Sequence, residues 1–219
     1  MTRHIERQIL HLKELILHFG TMVEESISHS NISLFKQDLS LATKVIANDA
    51  EIDRMEVELE EECLKVLALY QPVAADLRFV VAVLKINNDL ERIGDLTSNI
   101  AKTVSQLAIT GPFELPQEIS VMAKQAEEMV KKSLDAVVTA DPDLARQVRE
   151  EDDVVDPGRQ AVSKLVMQRI QEDPQNVENL LRINSVSKHL ERVADMATNI
   201  AEDVIYMVEG EIVRHRHGD

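Results

Sequence analysis

The sequence predicts an all-α protein made of two similar three-helix bundles in tandem, six long antiparallel helices with an internal two-fold repeat, and three observations predict it. Residues 90–101, Leu-Glu-Arg-Ile-Gly-Asp-Leu-Thr-Ser-Asn-Ile-Ala, return at 190–201 as Leu-Glu-Arg-Val-Ala-Asp-Met-Ala-Thr-Asn-Ile-Ala, with seven of twelve positions identical. Self-similarity at a long fixed period marks a duplicated unit, and a chain of 219 residues has room for two units that each bury a core. Only 6 Gly and 6 Pro, 3% aromatics and 44% hydrophobic residues favour long helices over sheet. Apolar residues also recur at spacings of three and four over long stretches, which is the stripe of an amphipathic helix.

The first unit, residues 1–110, opens with Ile5, Ile9, Leu12, Leu15, Ile16, Phe19, Met22, Val23 and Ile27 on one helical face. Asp38 is suited to cap a second helix carrying Leu41, Val45, Ile46, Ile52, Met55, Leu59, Leu64 and Leu67, which should stop near Gln71-Pro72. Pro72 suits the first turn of a third helix, where its missing N–H costs nothing, and the pattern continues to about Leu107. The segment Thr110-Gly111-Pro112-Phe113-Glu114-Leu115-Pro116 is the strongest break, and the second unit, 111–219, follows it. There a helix is expected from about Pro116 to Thr139, then one opened by Asp141-Pro142 and one opened by Asp173-Pro174. Asp38 stands eleven residues before Asp49, as Asp141 does before Asp152, so the repeat extends beyond the opening phrase. Asp156 precedes Pro157-Gly158, and the residue before proline is steered away from helical geometry, so the fifth helix is expected to kink or break there.

Charge narrows the function. With 39 acidic against 24 basic residues the net charge is -15, which repels phosphate backbones and anionic lipid and argues against nucleic-acid binding. It favours cations or a basic partner. The charged start and the lack of any run near the roughly 18 to 20 apolar residues of a membrane span predict a cytoplasmic chain with no direct membrane insertion. The single Cys63 lies in an apolar stripe and reads as a core residue.

Residues four apart share a helix face, so Glu91 and Asp95 project side by side with Asn99 one turn on, and the copy presents Glu191, Asp195 and Asn199. The second helix of each unit carries a matching pair, Asp49 with Asp53 and Asp152 with Asp156. If pairs on neighbouring helices face each other, each carboxylate contact near 5 Å costs about 3 kcal/mol at an effective dielectric of about 20. Something positive should sit among them. Hard cations take oxygen ligands from carboxylates and amide carbonyls; Arg92, Arg192 or a partner's basic residues are the other sources of charge. Lys188, three residues before Glu191, is placed to pair with it, whereas Asn88 holds that place in the first unit. One such pair alone would be ordinary solvated surface, but its recurrence inside the repeat favours cation binding over a solvated face.

The chain resembles the PhoU proteins, accessory regulators of bacterial phosphate-specific transport. The resemblance spans essentially the whole sequence and rests on Leu-Glu-Arg-Ile-Gly-Asp and Leu-Glu-Arg-Val-Ala-Asp in the third helix of each bundle, with Gln71-Pro72-Val73-Ala74 and Asp76-Leu77-Arg78 before the first. It implies metal roles for Glu91, Asp95, Glu191 and Asp195, and on the second helices for Asp49, Asp53, Asp152 and Asp156. The implied metal is a multinuclear iron cluster or another divalent cation such as Zn, Mn or Mg. It also implies negative regulation of phosphate-starvation genes, exerted beside a phosphate ABC transporter's cytoplasmic subunits and a sensor histidine kinase. Wide apolar stripes suggest a homodimer.

Other signals carry less. His4, His11 and His18 recur every seven residues, and His215 and His217 sit at the chain's end; a solvated face and a tail explain them. Met22, Met55, Met122, Met129, Met167, Met196 and Met207 read as gap-filling core. A di-iron oxidase would need Glu-x-x-His, which no Glu here provides, and no phosphate loop, dinucleotide motif or nucleophile elbow is present. The expectation is a protein that docks and does not catalyse; an adaptor for another transporter and a metal-dependent hydrolase or oxidase are the rival readings.

Overall fold

The structure, a computed structural model, describes residues 2–213, apart from the side chains of residues 2, 3, 153, 154 and 156. His215 and His217 lie outside the described residues. Six α-helices follow one another: α1 (Thr2–Lys36), α2 (Leu39–Tyr70), α3 (Ala74–Ala108), α4 (Gln117–Thr139), α5 (Pro142–Glu172) and α6 (Val177–Glu209), with a 3₁₀ turn, Pro174–Asn176, before the last. Helices α1–α3 form one bundle and α4–α6 the other. Among the described residues no helix is long and apolar enough to cross a membrane.

Most helix boundaries follow from local chemistry. The Asp38 carboxylate accepts from the Leu41 amide at 3.0 Å, and Asp141 accepts from the Asp143 and Leu144 amides at 2.9 and 3.1 Å, so each α2-type helix starts on a capped N-terminus. Gln71 and Ala140 end α2 and α4 in the left-handed region, at φ 46° and 52°, where glycine is the usual occupant.

Four details differ from the sequence reading. Helix α1 continues to Lys36, beyond the apolar positions named above, because Leu34 is buried in the core and Ser26, Ser30 and Asn31 are buried there by hydrogen bonds. Pro72 precedes α3 instead of opening it: Val73 is the extended N-cap and Ala74 turns the chain at φ 49°. Met167 stands 66% exposed on α5 and is not core. Helix α5 runs unbroken through Pro157. Proline removes one backbone bond and crowds the preceding turn, but Val155 and Val162 are buried on either side, and a Cβ on Gly158 would stand 2.8 Å from Met122 Cγ. That close packing on α4 holds the helix together across the missing bond.

The two bundles share one continuous apolar core. Helices α3 and α6 pack against each other along the centre and α1 packs against α4. The Arg78 Nε donates to the Met207 carbonyl at 3.4 Å and Lys85 bonds Asp203 at 3.0 Å, so α3 and α6 run antiparallel.

Candidate cation site

The repeated motif places its two carboxylates against the neighbouring helix through the residue between them. A Cβ on Gly94 would stand 2.7 Å from Ile52 Cγ2, so glycine lets α3 approach α2 closely at that level. Asp53 follows Ile52 and Asp95 follows Gly94, and the close approach brings the two acidic pairs into one field. Asp95 is exposed, yet partial desolvation first and then Asp49 and Asp53 hold it above the ordinary carboxylate range, against the opposing effect of Lys102. Glu91 is raised by burial, then by Asp95, Asp53 and Glu56, with Arg92 opposing. Asp49, Asp53, Glu91 and Asp95 therefore lie within one another's electrostatic reach across α2 and α3.

The structure adds three residues to this set. Glu56 is raised by burial, Glu60 and Asp53, and it completes a stripe of Asp49, Asp53 and Glu56 on α2. Asn87 lies one turn before Glu91 and is 1% exposed; its Nδ2 donates to the Glu56 carbonyl at 2.9 Å, while its Oδ1 is buried without a partner. Lys102 Nζ stands 3.8 Å from Asp49 Oδ2, yet Asp49 Oδ1 is buried and unsatisfied. Arg92 faces Asp89 at 3.7 Å. Asn99 is half-buried, and its backbone carbonyl accepts from Thr103. Glu56 could have been found by extending the α2 spacing from four to seven. Asn87 could have been found by extending the α3 stripe one turn back.

The second unit repeats the residues but not the electrostatics. Arg159 Nη1 donates to Glu191 Oε1 at 2.9 Å, and Arg149 stands 3.4 Å from Glu202. The partner of Glu191 is thus Arg159, one helix away, and not the Lys188 that sequence spacing favoured. Arg192 is exposed and, after burial, contributes with Lys188 to holding His189 below its ordinary value. Asp152 and Asp195 are half-buried and both engage neighbouring groups, and Asn199 packs its amide on Met196. The side chain of Asp156 lies outside the described residues.

Among the described residues no three His, Cys, Asp or Glu side chains are grouped closely enough to hold a metal ion as they stand. The first bundle nonetheless carries a stripe of oxygen groups with an orphaned acceptor towards each end, Asp49 Oδ1 and Asn87 Oδ1, and carboxylates whose repulsion a cation relieves. That chemistry fits a hard divalent ion. In the second bundle Arg159 already supplies positive charge to Glu191.

Comparison with known proteins follows the same duplication. The PhoU domain family model matches residues 16–104 and again 119–204. A phosphate-specific transport system accessory protein PhoU homolog from Aquifex aeolicus is 38% identical, covering 96% of this chain and 96% of that protein. The homolog from Pseudomonas aeruginosa is 36% identical over 98% of this chain and 91% of its own. Crystal structures of PhoU from Pseudomonas aeruginosa and of the phosphate transport system regulatory protein PhoU from Streptococcus pneumoniae superpose with TM-scores of 0.90 and 0.87. Their identities are 35% and 30%, they cover 94% and 95% of this chain, and 99% of each of them is matched. With both copies of the domain matched and the full length shared with such relatives, the chain belongs to the PhoU family.

Proposed function

We propose that this chain is an accessory regulator of phosphate-specific transport that works by docking and not by catalysis. It relays phosphate status between the cytoplasmic subunits of a phosphate ABC transporter and a sensor histidine kinase, and it holds phosphate-starvation genes silent when phosphate is plentiful. The reading is carried by the full-length correspondence with accessory proteins of phosphate transport, which covers 96% of both chains in the Aquifex aeolicus relative. On this reading the protein is cytoplasmic, peripheral to the transporter, and a homodimer; the exposed Leu10, Phe35 and Val121 supply apolar surface for such contacts.

A cation forms part of the working surface. Asp49, Asp53, Glu91 and Asp95 would hold it, with Glu56 and the Asn87 carbonyl in support, and it would neutralise a face that otherwise repels an acidic partner. Glu191, Asp195 and Asp152 would form the second site, with Arg159 supplying part of its positive charge. Iron, zinc, manganese and magnesium all suit an oxygen-rich set to differing degrees.

The test is alkaline phosphatase output in phosphate-rich medium. Deletion of the gene in its source organism should give high constitutive output, and the wild-type gene should restore silence. Complementation by a chain carrying Asp49→Asn, Asp53→Asn, Glu91→Gln and Asp95→Asn should restore it only partly. Output that stays low after deletion would place the chain in another pathway.

A further inference from the structure

At the end of the molecule opposite the interdomain loop, four helices leave a cavity of about 360 Å³ where the two bundles meet. Ile16 of α1, Phe79 of α3, Val137 of α4 and Met207 of α6 contribute its apolar walls, and all four are buried. Lys13 and Arg78 also line it. Lys13 Nζ lies 5.5 Å from the Phe79 ring centroid, and Arg78 uses its Nε on the Met207 carbonyl, which leaves its terminal nitrogens for other acceptors. Among the described residues no ion pair engages either cation. Asp76 is the one carboxylate of the lining, and it belongs to the first turn of α3, a helix whose N-terminus no side chain caps. Asp76 is therefore set partly against the helix dipole, and the two cations remain in excess.

We propose that this cavity binds a small amphipathic anion, an apolar single-chain body ending in a carboxylate. The apolar walls exclude a bare inorganic phosphate, which would lose its hydration without gaining enough donors. A neutral apolar ligand would leave Lys13 and Arg78 desolvated at the rim. An anionic head on an apolar body satisfies both, and the volume falls within the usual range for small-molecule sites, which favour domain junctions. Ala140, the left-handed C-cap of α4, lines the cavity, and Ala75 of the first turn of α3 lines it from the other bundle. Because the walls come from both bundles, the ligand would tie them together.

The probe is decanoate, titrated calorimetrically into the full-length protein below its micellar range, with 1-decanol and inorganic phosphate as parallel titrants. Decanoate should bind once per chain, more weakly as salt rises, and with a negative heat-capacity change from apolar burial. Lys13→Gln with Arg78→Gln should weaken binding at least tenfold. Ala75→Trp, at the exposed mouth, should block it with unchanged helicity by circular dichroism. Lys13→Gln alone changes an exposed side chain, and should weaken binding severalfold even if the double variant folds poorly. Absence of saturation at millimolar decanoate, equal affinity for 1-decanol, or indifference to Lys13→Gln and Ala75→Trp would each overturn the proposal.

Discussion

Gly94 shows how one residue shapes the acidic site. Alanine at this helical position would gain about 1 kcal/mol in intrinsic propensity, but its Cβ would meet Ile52 Cγ2 at 2.7 Å. That methyl sits directly on the Ile52 Cβ and has no rotatable bond by which to move aside alone, and overpacking of this kind costs about 1–3 kcal/mol. Gly94→Ala should therefore lower stability by about 1 kcal/mol net, a fall of about 2–4 °C in melting temperature for a chain of this size. In an Ile52→Ala background the same change should stabilise by about 1 kcal/mol, because the contact is gone and the propensity gain remains; equal costs in both backgrounds would show that the contact is not responsible. Cys63 gives a second residue-level expectation. It is wholly buried, and its thiol is pushed up to about 12 by burial first and then by Glu60 and Glu62. Since the thiolate is the reactive form, a thiol reagent at pH 8 should label Cys63 only in denaturant; rapid labelling of the native protein would contradict its place in the core. The core role of Cys63 was legible from its stripe. The reason for Gly94 was not, because it depends on the level at which α2 crosses α3.

At the scale of the element, the spacing of four put Asp49 with Asp53 on one face of α2 and Glu91 with Asp95 on one face of α3, without showing that the two faces meet, and capping by Asp38 and Asp141 located two helix starts. These signals are local, so a single sequence carries them. The far end of α1 was less legible because its buried face mixes Leu34 with Ser26, Ser30 and Asn31, whose hydrogen bonds to Thr97 and Glu127 make polar residues interior. Arg159 was hidden for a related reason: its partner Glu191 lies on another helix, and interhelical pairing follows packing register, which spacing within one helix does not reveal. The resulting asymmetry between the stripes is testable. On the proposed reading, Glu91→Gln with Asp95→Asn should remove the tighter class of bound manganese in equilibrium dialysis, while Glu191→Gln with Asp195→Asn should remove little. Arg159→Gln should increase uptake by the second bundle, since Glu191 loses its cation. Equal losses from the two paired variants, with no gain from Arg159→Gln, would show that the bundles bind alike.

For the whole molecule, the duplication is plain in sequence, but the way the copies join is not, since a repeat describes each unit and not the surface between them. The joint is α3 against α6 and α1 against α4, within one unbroken apolar core. Polar contacts cross it at defined points. The Asn31 amide donates to Glu127 at 2.8 Å, and Lys85 reaches an Asp203 whose side chain is 2% exposed. A carboxylate so deeply placed has lost most of its hydration, so the cation beside it matters more than in a surface pair. Lys85 is itself 37% exposed, and water moderates the effect on that side. Lys85→Met keeps the aliphatic stem over the Tyr206 ring, which the ammonium now faces at 4.9 Å, and removes the charge. The expected cost is about 2 kcal/mol, or about 4–8 °C in melting temperature. Because the core is continuous, both bundles should melt together in one calorimetric transition, in the wild type and in Lys85→Met alike, with the entire peak displaced. If Lys85→Met instead splits the peak in two, the bundles are held together mainly by this buried charge pair and not by the shared apolar core.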